Sequence, residues 1–198
     1  VEGARTSPQA PSRGWPSTGP DHLYPSYRVV GQRDHMLPEL RAHAAVQLGL
    51  FTRAQAVDAG YRAAQLRTLL GPRGGWVAVR RGVYMERQMW EALDEYDGQW
   101  TARDWAAHLN MQETHVMSHD SAARAHGLPM LAEHRGLVHV TRPWVTGART
   151  QGGVKHHLGK AEPVTIETVA GLPVTGLART AMDLAREHGE LAGMIACD

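Results

Sequence analysis

The chain has 198 residues, 42% of them hydrophobic, which is enough for one large globular domain or two small ones with buried cores. Its formal net charge is only +1, so any attraction to nucleic acid must come from local charge asymmetry. The single Cys197 excludes an internal disulfide and a zinc site built from thiolates. No run approaches the roughly 20 apolar residues of a membrane span. We therefore expect a cytoplasmic protein without a membrane partner.

The N-terminal stretch is rich in Pro, Ser and Gly and has almost no apolar periodicity. We therefore predict that residues 1–35 form a disordered tail. From Leu37 the apolar residues recur at helical spacing and stop at Gly49, which predicts a first helix.

Two further helices are predicted after it. Thr52 and Gln55 have the spacing of a capping box and open the second helix, which Gly60 closes. The third helix is predicted over residues 62–70, with one apolar and one polar side.

The next segment, "WVAVRRGVYM", alternates like a half-buried two-stranded ribbon with its turn near Arg80–Gly82. Three short helices followed by a β-ribbon is the layout of a winged helix-turn-helix, which we predict for residues 36–88. Residues 60–87 hold six arginines and one acid. The sequence therefore predicts a basic surface on this domain.

A basic helix and wing of this kind are typical of a protein that binds double-stranded DNA. Gln can pair with adenine and Arg with guanine, so base readout is predicted for side chains on the polar side of the third helix: Tyr61, Arg62, Gln65 and Thr68. Arg80 and Arg81 would reach phosphates or the minor groove from the wing. The alternative is a solvated face of arginines. Trp76 and Tyr84 are predicted to pack in the core of the wing.

The remainder, residues 89–198, is predicted as a small α/β domain, which gives the chain an α+β fold class. An acidic helical stretch over about 88–110 carries Trp90, Trp100 and Trp105. It is followed by a helix capped by Ser118 and ended by Gly127. Next come two strands joined by a polar loop, a hairpin around Gly171, a helix opened by Thr175 and a last helix. The sequence leaves open whether this domain continues beyond Asp198.

Histidines are frequent between residues 115 and 157. His115 and His119 stand four residues apart, but no Glu adjoins them as in the helix of a zinc protease. We therefore expect ordinary hydrogen-bonded histidines, no metal and no cofactor.

Catalytic motifs are largely missing from the sequence. It has no Gly-rich phosphate loop followed by Lys, and Cys197 stands in a helix that is predicted to be buried. Acids are sparse in sequence around Lys155 and Lys160, which disfavours two-metal nuclease chemistry. We expect no enzymatic activity.

Three passages resemble actinobacterial antitoxins of the AbiEi type: "GLFTRAQAVDAGYRAAQLRTLLGPRGGWVAVRRGVY", "MSHDSAARAHGLPML" and "VTIETVAGLPVTGLARTAMDLA". Together they cover most of residues 49–185. The "W…RRGVY" ending of the wing is the most distinctive of the shared features.

The resemblance implies a winged helix-turn-helix followed by an α/β antitoxin domain. Such proteins repress their own operon and oppose a nucleotidyltransferase-like toxin without forming a stable complex with it, as one half of a type IV toxin-antitoxin system. Carried over by position, the resemblance implies DNA contacts from Thr52, Arg53, Arg62, Gln65, Arg67, Arg80 and Arg81. Many relatives have more basic residues where this chain has Ala63, Ala64 and Thr68.

Two other functions stay open at this point. A second group with a similar front end continues into an endonuclease-like domain, which would make this chain the DNA-targeting module of a longer protein. The chain could also be a protein-interaction module that docks a partner through the acidic, Trp-bearing segment 90–105.

Overall fold

The computed structural model describes residues 36–131, 136–142, 147–159 and 166–198. The predicted tail, His134 and Lys160 lie outside the described residues. The described chain is a mixture of helices and sheets, so the predicted α+β class is confirmed. None of the helices in these ranges has the length and apolar character that a membrane crossing requires.

The N-terminal part contains three helices and a three-stranded antiparallel sheet in the order β1-β3-β2. In chain order the elements are α1 (Pro38–Val46), β1 (Leu50–Thr52), α2 (Arg53–Asp58), α3 (Ala63–Leu69), β2 (Trp76–Arg80) and β3 (Val83–Glu86). The predicted capping box is confirmed, because Thr52 N donates to Gln55 Oε1 and Gln55 N donates to Thr52 Oγ1.

The helices cover one face of this small sheet. Phe51, Trp76 and Tyr84 are buried there with Leu66 of α3, and the ring of Phe51 meets that of Trp76 edge-on at 4.6 Å. The prediction that Trp76 and Tyr84 pack in the core is confirmed.

The second part surrounds a six-stranded mixed sheet in the order β6-β7-β5-β4-β9-β8. In chain order its elements are α4 (Arg87–Ala92), α5 (Gly98–Asn110), β4 (Val116–Met117), α6 (His119–His126), β5 (Val138–Arg142), β6 (Arg149–Gln151), β7 (Val154–Leu158), β8 (Ile166–Val169), β9 (Leu172–Thr175), α7 (Leu177–His188) and α8 (Glu190–Cys197). The predicted hairpin around Gly171 is confirmed as β8 and β9.

Several local predictions need correction. The acidic stretch forms two helices, α4 and α5, instead of one. The Asp94 carboxylate accepts hydrogen bonds from the backbone N–H groups of Asp97 and Gly98, which stabilises a turn between the two helices. The polar loop after β5 contains the edge strand β6. Ser118 is the N-cap of α6, but its side chain makes no capping bond. The N-cap of α7 is Gly176, one residue after Thr175.

Helix α5 joins the two sheets into one core. Its alanines at 102, 106 and 107 are buried, and short side chains allow close packing on both sides of the helix. One cluster contains Leu50, Val83 and Met85 from the small sheet together with Met117, Val138, Val140, Val154 and Val174 from the large one. The apolar packing is therefore continuous across the predicted boundary at residue 88.

A buried ion pair attaches α5 to α6. Arg124 Nε donates to Asp104 Oδ2 at 2.9 Å, and both side chains are almost completely buried. Ser121 Oγ donates to Asp104 Oδ1 at 2.6 Å and accepts a bond from the backbone N–H of His139. Both donors to this buried carboxylate come from α6, and Ser121 links them to β5 through the backbone of His139.

We expect Asp104→Asn to lower the free energy of unfolding by about 3–5 kcal/mol, because it leaves the Arg124 guanidinium buried without its counter-charge. Urea unfolding followed by circular dichroism measures the loss. Glu113→Gln is the control, since it removes an ion pair with Arg142 in which the carboxylate is 69% exposed, and should cost at most about 1 kcal/mol. Equal small losses would contradict the role given to the buried pair.

Candidate functional site

Helix α3 turns one side to the core and the other to solvent. Leu66 is buried among the aromatic residues of the small sheet, whereas Arg62, Gln65, Arg67 and Thr68 are exposed. These four predicted DNA-contacting residues are therefore all exposed around α3 and its N-cap, and we refer to them as the α3 surface.

Two residues of the α3 surface also hold the helix together. Gln65 Oε1 accepts a bond from Arg62 N at 2.8 Å at the start of α3, and Thr68 Oγ1 donates to Ala64 O at 3.1 Å. The helix start would otherwise leave backbone N–H groups without partners. Gln65 therefore stabilises the start of α3 and is also exposed to solvent.

Tyr61 does not belong to this surface, and its prediction as a base reader is wrong. Its ring is buried against Trp76 at 4.9 Å between centroids, and its hydroxyl oxygen accepts a bond from Leu37 N. Tyr61 precedes the first turn of α3, so the helical periodicity that places it on the polar side does not apply to it.

The start of α2 lies beside the wing turn. Arg53 N donates to Gly82 O at 2.8 Å, and the Arg53 side chain is exposed. Thr52 is half-buried, and its hydroxyl accepts the capping bond from Gln55 N. Arg53 is therefore available to a ligand, while the Thr52 hydroxyl is already engaged.

The two wing arginines have different surroundings. Arg81 is exposed, and its carbonyl oxygen accepts a bond from Asn110 Nδ2 at the end of α5. Arg80 is half-buried and points to the β6–β7 turn, where a Cβ on Gly152 would be 3.5 Å from Nη2. Burial lowers the pKa of Arg80. Both side chains were predicted to reach outward from the wing, but only that of Arg81 is exposed to solvent, whereas that of Arg80 is directed to another part of the protein.

Arg87 contributes to folding rather than to a basic surface. Its Nε donates to Gly74 O at 2.8 Å, and Nη2 donates to Trp76 O at 3.3 Å. The guanidinium thereby satisfies carbonyl groups of the loop between α3 and β2 and of the first residue of β2. The loop itself is tight, since a Cβ on Gly74 would lie 1.9 Å from Leu69 O.

In the acidic segment 90–105 all three tryptophans are at least partly buried. The Arg103 guanidinium lies over the rings of Trp90 and Trp100, at 5.4 and 4.5 Å from their centroids, and Trp105 is buried. Its tryptophans are therefore not displayed together for a partner.

Three histidines that the sequence pattern does not connect lie close together in the fold, and we call them the histidine triad: His119, His139 and His157. One ring nitrogen of each lies within 4.8 Å of one from each of the other two. His139 Nδ1 is 3.1 Å from His157 Nε2, and the rings of His119 and His157 stack with centroids 3.7 Å apart.

Strand register explains how the triad assembles. In the parallel pair of β5 and β7, His139 lies beside Lys155 and Thr141 beside His157, so all four face the same side of the sheet. The alternate residues Val138, Val140 and Val154 face the core with α5. His119 is separated from β4 by Ser118 alone. The Thr141 hydroxyl donates to Ser118 Oγ, which is 3.0 Å from His119 Nδ1.

Carboxylates from two helices surround the triad. Asp120 Oδ1 is 2.7 Å from His188 Nε2, and Glu187 forms an ion pair with Lys155. Asp183 is buried and pairs with Arg179. The expectation that acids are sparse around Lys155 is wrong for the folded protein, because α7 brings acids that are distant in sequence close to this lysine.

Cys197, predicted to be buried, is exposed.

Burial lowers the pKa of each histidine of the triad, to about 4 for His119 and His157 and to about 2 for His139. The neighbouring histidines and the Lys155 cation lower these values further, as does Arg179 at His119 and Arg124 at His139, whereas Glu187 opposes them at His119 and His157. Burial raises the pKa of Asp120. All three rings are consequently neutral near pH 7.

These pKa values predict that the metal-free protein loses stability as the pH falls from about 6.5 towards 4. The folded-state values lie below the ordinary value of 6.5, so the unfolded chain binds more protons throughout this window. His157→Gln should flatten the dependence by about 1 kcal/mol per pH unit near pH 5.

Denaturant unfolding in EDTA at several pH values measures this slope. His43→Gln, at an exposed position of α1, should leave the slope as in the wild type. An unchanged slope in His157→Gln would show that the ring is protonated equally in both states.

No protein-family model matches the chain, and no curated protein matches it either. The resemblance to AbiEi-type antitoxins therefore stays a prediction that rests on the three quoted passages. Any function has to be argued from the α3 surface and the histidine triad themselves.

Proposed function

We propose that this chain is a DNA-binding transcriptional regulator whose residues 36–88 act as a winged helix-turn-helix. The observation that carries the proposal is the α3 surface, whose members Arg62, Gln65, Arg67 and Thr68 are all exposed while Leu66 anchors the helix in a buried aromatic core. A helix with one side fixed in a core and polar side chains on the other can enter a major groove.

The charge distribution supports this proposal. Residues 36–88 hold eight arginines and three acids. Arg41 lies on α1, and Arg80 and Arg87 are directed to other parts of the protein. The other five are exposed around α2, α3 and the wing: Arg53, Arg62, Arg67, Arg73 and Arg81. Contacts to phosphates supply most of the affinity of such proteins for DNA, and arginine suits them well.

Roles can be divided among the exposed side chains. Gln65 is the best candidate to read a base, since its amide can pair with adenine, and Arg62 or Arg67 can pair with guanine. Arg53 and Arg81 lie at the start of α2 and at the wing turn, where phosphate contact is the natural role. Tyr61 drops out of the set of base readers because it is buried.

The biological role that we propose follows the family resemblance. The chain would bind its own promoter as an autoregulating antitoxin of a type IV toxin-antitoxin system in the cytoplasm, without being an enzyme. The toxin would be a nucleotidyltransferase-like protein that is opposed without a stable complex. A DNA-targeting module of a longer nuclease would use the same α3 surface, whereas the interaction module loses support because Arg103 covers Trp90 and Trp100.

Titration of the purified chain against its own upstream DNA and an unrelated duplex of equal length, at two salt concentrations, tests the proposal. A preference for the upstream DNA that persists at the higher salt supports a self-regulating repressor. Equal binding that is lost with salt indicates a non-specific module. Absence of binding to both duplexes overturns the proposal.

We expect Arg81→Ala to weaken binding to every duplex alike and to reduce the slope of log K against log salt by about 1, because one phosphate contact is lost. Arg186→Ala, an equal change of charge at an exposed position of α7, should leave both quantities unchanged. Similar losses in the two variants would indicate that only overall charge matters.

Gln65→Ala should cost about 1–3 kcal/mol of binding at a single base position. It also removes the bond to Arg62 N, so the free energy of unfolding should fall by about 0.5–2 kcal/mol. Gln55→Ala is the matched control, since Gln55 makes the same bond to Thr52 N at the start of α2. The control should lose stability without a base-specific effect, and equal losses at all base positions would remove Gln65 from the base readers.

A further inference from the structure

The three histidines of the triad come from separate elements but meet at the spacing that a single ion requires. A zinc ion binds imidazole nitrogen at about 2.0–2.1 Å, which places two tetrahedral ligands about 3.3 Å apart. His139 Nδ1 and His157 Nε2 are 3.1 Å apart, and a nitrogen of His119 lies within 4.8 Å of both rings. The three nitrogens are therefore close enough to reach one ion once the stacked rings of His119 and His157 rotate.

The backbone at His119 gives an independent indication. His119 opens α6 with φ at 49°, in the left-handed region that residues other than glycine rarely adopt. Such a conformation persists only where the surroundings require it, and it occurs preferentially at functional sites. Here it holds the ring of His119 against that of His157.

Asp120 provides the arrangement that usually stands behind a metal-bound histidine. Its Oδ2 atom is buried, has no hydrogen-bond partner among the described residues, and lies 3.7 Å from His139 Nε2. Nδ1 of His139 faces His157 and would bind the ion. The proton of the neutral ring would then be on Nε2, the nitrogen that faces Asp120 Oδ2. A carboxylate behind the ring fixes its tautomer and raises its basicity as a ligand.

The charges around the triad are compatible with a bound cation. Three cations are close, but each has a counter-charge: Lys155 pairs with Glu187, Arg179 with Asp183 and Arg124 with Asp104. Asp120 faces His188 with its other oxygen. The carboxylates of Asp120, Asp183 and Glu187 therefore offset these neighbours, and the neutral histidines leave lone pairs free to bind a metal.

We propose that His119, His139 and His157 form a binding site for one divalent transition-metal ion of the zinc class. Imidazole ligands suit zinc, and three protein ligands leave a fourth position for water or a carboxylate. A ring nitrogen binds a metal in the plane of its ring, so the stacked rings of His119 and His157 turn apart when the ion enters. The proposal replaces the expectation of ordinary hydrogen-bonded histidines and does not depend on DNA binding.

The test uses the untagged chain after removal of metals with EDTA. Zn²⁺ is titrated in competition with a chromogenic chelator, and thermal unfolding is recorded with and without the ion. We expect one equivalent per chain and a higher Tm, because the ion binds only the folded arrangement. The visible spectrum of bound Co²⁺ reports the coordination geometry in the wild type.

Variants assign the ion to the triad. His157→Gln should weaken binding by more than about 100-fold, and Asp120→Asn by about 10–100-fold through the orientation of His139. His156→Gln is the matched control, since its position in β7 faces the opposite side of the sheet, and it should bind as the wild type does. Circular dichroism confirms that each variant is folded.

A second pair of histidines supplies the competing outcome. His108 Nδ1 and His115 Nε2 lie 2.9 Å apart at another place in the structure. Binding that survives His157→Gln and is lost in His108→Gln overturns the proposal, as does a wild-type chain that takes up no Zn²⁺ and shows no tetrahedral Co²⁺ spectrum. The proposal is supported if Zn²⁺ binding is lost in His157→Gln and kept in His108→Gln.

Discussion

The packing of α5 between two sheets is the constraint on which the rest of the structure depends. Its buried alanines at 102, 106 and 107 let Met85 of the small sheet and Val140 of the large one enter a single core. The two faces of the small sheet therefore pack against different helices. The aromatic face holds α3, and the opposite face is occupied by α5, so the exposed side of α3 is directed away from the second part of the chain.

The sequence predicts those features whose cause is local. The capping box of Thr52 and Gln55 and the left-handed end of α6 at Gly127 depend on a few neighbouring residues, and both are found in the structure. Side chains whose partners are distant in sequence were not predictable in this way. Tyr61 reaches Leu37, and Arg80 reaches Gly152, so periodicity along the helix or strand could not show either contact.

The histidine triad was missed for a related reason. His119, His139 and His157 are each about twenty residues apart, and none of the spacings matches a short metal-binding motif. Only the register of β5 against β7 places His139 and His157 on one side of the sheet. Alternation could have given a partial indication, since the strand "VHVTR" puts valines on one face and His139 with Thr141 on the other.

Continuity of the core across residue 88 bears on how the molecule folds. A fragment that ended there would expose Leu50, Val83 and Met85, which are almost completely buried in the whole chain. Each such side chain contributes about 1.5–3 kcal/mol on burial, and a domain of this size has a total stability of about 5–15 kcal/mol. The N-terminal segment therefore depends on α5 for its own stability, and the two parts should melt in one cooperative transition rather than as separable modules.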